Sequence, residues 1–198
     1  MAYPDNKLVF RKSKMILEAY SDASFATISE GRSRLGGALM FGNGPDSNFM
    51  NGLAHVICST SDVVMGSIME AEYGATYLTG KDVVYMRQIA RSLGFPQSGP
   101  TEIKNDNSCA VHLSNDSLKI SKSKAIDMRF HWIRDRVRQK QITVKWIPAA
   151  DNIADFFTKA PPVHQHVHRM RMLVHADIRN RKRAARCSAW RSNTSRSA

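Results

Sequence analysis

Apolar and polar residues alternate from Met15 to Thr27, with Ile16, Glu18, Tyr20, Asp22 and Ser24 on one parity. A period of two predicts a strand, and this one carries a carboxylate near its end. Ser29 to Arg34 reads as a polar turn and Leu35 to Phe41 as a Gly-rich apolar strand. Gly42 to Asn51, dense in Gly, Asn, Asp and Pro, reads as a hairpin loop, and Leu53 to Ser59 as a third strand. Three strands on short connections predict an antiparallel meander. The period then changes. From Ser67 to Leu93, apolar residues at 71, 75 and 78, then 83, 86 and 90, predict a long helix with Gly80 as a candidate interruption. Gly94-Phe95-Pro96 ends it. Thr101 to Asp106 is a short strand and Asn107 to Leu113 begins a helix. Ser123 to Lys140 is a second long helix, with Ile126, Phe130, Ile133 and Val137 at 4-3-4 spacing. Gln141 to Ile147 alternates Ile142, Val144 and Trp146 as a strand, Pro148 breaks it, and Asp151 to Lys159 is a final short helix. The order β-β-β-α-β-α-α-β-α, without an internal repeat, predicts an α/β domain.

At 198 residues, the chain has room for one domain with extensions, and 42% hydrophobic residues suffice for a core. Charge changes the picture at the C-terminal end. Pro162 to Ala198 holds nine basic residues and one acid, Asp177, so most of the net +12 lies there. We therefore divide the chain into a lead-in (1–14), a folded domain (15–161) and a basic, poorly structured tail (162–198). The tail reads as a solvated extension, with Arg181-Lys182-Arg183 as a nuclear-targeting or nucleic-acid alternative. No apolar run reaches a membrane span, and the N-terminus lacks the apolar stretch of a signal peptide. Cys58, Cys109 and Cys187 are scattered and form no CxxC, which argues against a disulfide scaffold or zinc ribbon and for a reducing compartment.

Four acids stand where chemistry would use them: Asp22 at the end of the first strand, Glu70 or Glu72 in the first turns of the long helix, Asp106 closing the fourth strand, and Asp155 starting the last helix. Converging carboxylates are what hard Mg²⁺ ions require, and two such ions serve in-line displacement at a phosphodiester. Glu70 and Glu72 lie about 200° apart around a helix. Glu72 shares its face with Ile68, Ala75, Thr76 and Thr79, mostly small residues that let a helix approach a sheet, and is the better candidate. The alternative makes Asp22 a turn residue, Asp106 a helix cap and Asp155 an exposed first-turn acid.

The local words around these acids shift the balance toward chemistry. Tyr20-Ser21-Asp22-Ala23, Glu70-Ala71-Glu72-Tyr73, Asp106-Asn107-Ser108, Ile126-Asp127-Met128-Arg129-Phe130-His131-Trp132-Ile133-Arg134 and Asn152-Ile153-Ala154-Asp155-Phe156-Phe157-Thr158-Lys159 occur in order. From Leu17 to Pro161 the chain resembles the ribonuclease H domain of copia-type retrotransposon polyproteins, which carry YSDAD, STEAEY, CDNQSA, HIDIRYHFIRE and a late LADILTK. The resemblance implies a ribonuclease H-like fold, a five-stranded mixed sheet flanked by helices, with three antiparallel strands followed by parallel additions. It implies a metal-dependent endonuclease acting on the RNA strand of RNA–DNA hybrids. The ligands for two Mg²⁺ (or Mn²⁺) ions would be Asp22, Glu72, Asp106 and Asp155. It further implies that the chain is one region of a longer polyprotein, partnered there by a reverse transcriptase region, in the cytoplasm or nucleus and without a membrane association.

Departures from the family's words keep a second reading open, a catalytically inactive nucleic-acid-binding remnant. Ser67-Ile68-Met69-Glu70 replaces the usual Ser-Ser-Thr-Glu, and Ile57 to Asp62 replaces Trp-Ser-Ser-Lys-Lys-Gln. Ala125 stands where the family has His, Asn105 where it has Cys, and Cys109 where it has Ser or Ala. On the second long helix, Lys122, Lys124, Arg129, Arg134 and Arg138 are candidates to follow a phosphate backbone. His131 reads as a packing or helix-face residue, and His164, His166 and His168 as an incidental cluster.

Overall fold

The computed structural model describes residues 8–44, 51–115 and 124–159, without the side chains of residues 124–128 and 130. The predicted tail, with His164, His166 and His168, and Lys122 lie outside the described residues.

Five strands, β1 (Ile16–Ser24), β2 (Arg32–Gly42), β3 (Leu53–Val64), β4 (Thr101–Asn105) and β5 (Ile142–Trp146), form one sheet in the order β3-β2-β1-β4-β5. β1 is central. It pairs antiparallel with β2, from Ile16 opposite Gly42 to Ser24 opposite Arg34, and parallel with β4, Glu18 opposite Glu102. β5 joins β4 in parallel. The helices are α1 (Ile68–Ser92), α2 (Ser108–Ser114), α3 (Lys124–Arg138) and the single turn α4 (Asp155–Thr158). This is the mixed sheet that the family resemblance implies.

Alternation along β1 sends its residues to two different cores. Leu17 and Ala19 join Leu39, Tyr73, Val83, Ile103, Ile133 and Ile142 under α1 and α3. Tyr20 joins Ala38, Met40, Ile153 and Ala154 under the segment that leads into α4. Glu18 is buried on that second face, held by Lys104 Nζ at 2.8 Å, and the same ammonium donates to the Tyr20 hydroxyl at 3.1 Å. Two adjacent glycines in β2 let a helix approach from each side. A Cβ on Gly36 would stand 2.5 Å from Thr158 Cγ2, and one on Gly37 2.6 Å from Thr79 Oγ1.

Four expectations need correction. Gly80 does not interrupt α1. It lies against Trp132 of α3, where a Cβ would stand 3.2 Å from the indole, so the glycine serves close helix packing. β2 begins at Arg32 rather than after Arg34, and β3 runs past Ser59 to Val64, because Arg32 pairs with Val64 and Arg34 with Thr60. The last helix is not continuous from Asp151. A 3-10 turn at Ala149–Asp151 stops at Asn152, whose backbone is extended and whose side chain accepts from Ala154 N at 3.1 Å. Ile68 is exposed, whereas Ala75, Thr76 and Thr79 on its face are buried, because it is the first residue of α1.

Among the described residues, no helix is long and apolar enough to cross a membrane. Cys58 and Cys109 are exposed free thiols, and Cys187 lies outside the described residues.

Candidate active site

At the C-terminal ends of β1 and β4, Asp22, Asp106 and Asp155 each offer a carboxylate oxygen within 4.8 Å of the others. The parallel pairing of β1 and β4 brings the first two to the same edge. α4 supplies the third by docking on β2 over Gly36. Asp22 is fully buried and Asp155 nearly so. The Thr158 hydroxyl donates to Asp22 Oδ2. Lys159 Nζ reaches both Asp155 Oδ1, at 2.5 Å, and Asp22 Oδ1, at 3.3 Å.

Glu72 and Glu70 have separate surroundings. Ser67 caps α1 by accepting from Glu70 N at 3.1 Å, and Glu70 Oε2 accepts from Gly66 N at 2.7 Å. Glu70 is therefore a capping residue, the usual role of an acid at that position. Glu72 is buried, and its Oε2 accepts from Asn105 Nδ2 at 3.1 Å. It approaches the aspartates from the α1 side without joining their tight group.

Sequence reading missed two buried amides beneath the acids. Asn105 Nδ2 also donates to Ser21 Oγ at 3.1 Å, and Asn105 Oδ1 accepts from Asn107 N at 2.7 Å. It thus ties β1, α1 and the backbone beyond Asp106 together. Asn152 Nδ2 donates to Ser21 O at 3.0 Å and to Asp106 Oδ1 at 3.4 Å. Their signal in the sequence was only their place inside the family words, with Asn105 a departure from them. Trp146 Nε1 donates to Asp106 O at 2.9 Å and fixes the turn that presents Asp106.

Burial pushes the Asp22 carboxyl up to about 7, with Asp155 adding repulsion while Thr158 and Lys159 oppose it. Burial likewise pushes Glu72 up to about 8, with repulsion from Asp22 and Asp106 added and the Asn105 bond opposing. The Lys159 ammonium is pulled down by burial, but its bonds to Asp155 and Asp22 outweigh that and hold it above the ordinary lysine value. Buried, like-charged oxygen donors that resist ionisation suit a hard divalent cation, whose charge removes the cost of ionising them.

The basic candidates are less uniform. Arg134 Nε donates to Leu113 O at 3.1 Å, a bond that ties α3 to α2. The Arg129 guanidinium lies over the Tyr77 ring at 6.0 Å. Arg138 is exposed near the end of α3, as is His131 earlier in the helix. The backbone of Lys124 begins α3, and its side chain is outside the described set.

No family model matches the chain. Over 155 residues it is 31% identical to the retrovirus-related Pol polyprotein from transposon TNT 1-94 of Nicotiana tabacum, a match covering 78% of this chain and 11% of the relative. It is 27% identical over 161 residues to the Pol polyprotein from transposon RE2 of Arabidopsis thaliana, covering 79% of this chain and 10% of that one. The chain thus spans about a tenth of the length of these relatives. Among solved structures, an RNase H1 isolated from compost by a metagenomic approach superposes with a TM-score of 0.51 at 16% identity, over 72% of this chain and 92% of that one. The N-terminal RNase H domain of a Mycobacterium tuberculosis protein, solved as a maltose-binding-protein fusion, gives 0.50 at 14% identity, over 79% and 98%. These likenesses establish the fold. The chain is a ribonuclease H-fold domain related in sequence to the Pol polyproteins of copia-type transposons.

Proposed function

We propose that the chain is a metal-dependent endoribonuclease that hydrolyses the RNA strand of RNA–DNA hybrids. The observation that carries this reading is the three-aspartate group at the strand ends, with oxygen donors within 4.8 Å of one another. Asp22, Asp106 and Asp155 would hold Mg²⁺ or Mn²⁺, and Glu72 would complete a second ligand set from α1. Bound there, two divalent cations supply Lewis acidity at the scissile phosphate and neutralise charge on the attacking and leaving oxygens. The chain's own part is positioning. Asn105 and Asn152 hold Glu72 and Asp106 through side-chain amides, and Thr158 holds Asp22. Charge-assisted bonds of this kind fix carboxylate rotamers before substrate arrives.

On this reading the hybrid's backbone would run along α3, met by Lys122, Lys124, Arg129 and Arg138. Arg134 contributes charge more than contact, since its Nε is already committed to Leu113. The basic residues after Pro162 would add sequence-independent affinity. In a parent polyprotein the domain would work beside a reverse transcriptase region, in the cytoplasm or nucleus.

The second reading, an inactive binding remnant, draws on the ammonium of Lys159 inside the aspartate group. Cleavage of a labelled RNA–DNA hybrid with Mg²⁺ separates the two. The nuclease reading expects cleavage that Asp22→Asn and Asp106→Asn each abolish. Hybrid binding by the wild-type chain without cleavage would establish the remnant.

A further inference from the structure

Lys159 follows α4 and stands four residues beyond Asp155. Its Nζ lies 2.5 Å from Asp155 Oδ1 and 3.3 Å from Asp22 Oδ1, so a positive charge already bridges two of the three aspartates. Two of those carboxylates are almost wholly buried. Buried charges are retained in a fold only when paired. The lysine is anchored at its backbone, where its N–H donates to Asp155 O at 3.1 Å. Its side chain is 43% exposed, which leaves the four-carbon stem a route into solvent. An ammonium and a divalent cation both seek carboxylate oxygen as compact point charges, so they compete for the same ground.

We infer that Lys159 is a tethered counter-ion: it fills the aspartate group when no divalent cation is bound and must swing outward for one to enter. This rests on the metal-binding reading above. Two consequences follow from charge alone. Metal affinity is lower than the aspartates would otherwise give, because each binding event displaces a favourable ion pair. The metal-free fold, in turn, depends on the lysine.

The test is Mn²⁺ binding to the full chain by calorimetry, without substrate, for wild type, Lys159→Met and Lys159→Gln. Methionine keeps most of the stem, and glutamine keeps a hydrogen-bond donor should methionine prevent folding of the metal-free chain. Both neutral variants should bind Mn²⁺ more tightly, by about fivefold or more, since a cation inside a carboxylate group opposes another at contact distance. Their melting temperatures should fall in EDTA and recover with Mn²⁺ toward the wild-type value. Unchanged or weaker affinity in both variants, with the wild type binding, overturns the counter-ion role alone. If none of the three proteins binds Mn²⁺, the counter-ion role and the nuclease reading fall together.

Discussion

Replacing Asp22 by Asn should stabilise the metal-free protein, and by an amount that depends on pH. The carboxyl is fully buried and pushed up to about 7 from an ordinary 3.8, mainly by burial. A group whose value is higher in the folded chain binds its proton more tightly there, so folding stability declines as pH rises from about 4 through 7. The rise from 3.8 to about 7, at roughly 1.4 kcal/mol for each tenfold in proton affinity, gives a cost of about 4 kcal/mol at pH 8. Asn is nearly isosteric and never ionises, so it escapes that cost while keeping an acceptor for the Thr158 hydroxyl. The value of about 7 already includes the opposing pull of Lys159, so a gain of about 2–4 kcal/mol is expected. Urea unfolding in EDTA checks this at pH 4.5 and pH 8. The variant should exceed wild type at pH 8 and differ from it by less than about 1 kcal/mol at pH 4.5, where Asp22 is protonated in the fold. A difference that is independent of pH, or a variant less stable at pH 8, would refute the claim that Asp22 is an electrostatic burden in the metal-free fold.

Gly36→Ala places a methyl 2.5 Å from Thr158 Cγ2 and 3.2 Å from Ala154 O, so α4 must shift and carry Asp155 with it. It should cost about 1–3 kcal/mol in urea unfolding and depress hybrid cleavage, and adding Thr158→Ser should restore part of both. Lys104→Met strands the buried Glu18 carboxylate and should cost about 3 kcal/mol, while pairing it with Glu18→Leu should recover most of that loss in thermal denaturation. Removing residues 162–198 takes away nine basic residues and one acid, and should weaken hybrid binding and flatten its dependence on salt. A salt titration with an unchanged slope would show that those charges do not meet the phosphates.

The strands and helices were legible wherever one face of an element is buried, because burial imposes its period on the sequence. α1 and β5 could be read for that reason, and so could the deeper burial of Glu72 than of Glu70, since a helix turns its small-residue face to the sheet; β1 is buried on both faces, and its alternation records an apolar core on one side and polar side chains on the other. The order of elements and the family words around Asp22, Asp106 and Asp155 carried the fold and the candidate acids. Features set by partners distant in the chain were not legible. Gly80 reads as a breaker until Trp132 is packed against it, and the end of β3 depends on the pairing of Arg32 with Val64. Asn152 ends a helical turn because its amide reaches Ser21, 131 residues away. Thr158 and Lys159 reach Asp22 across 136 and 137 residues. Local periodicity records only whether a side chain is inside or outside. Which oxygen meets which donor is settled when the parallel β1–β4 pair and the docking of α4 bring three stretches of chain to one edge, and that closeness leaves no period in any of them.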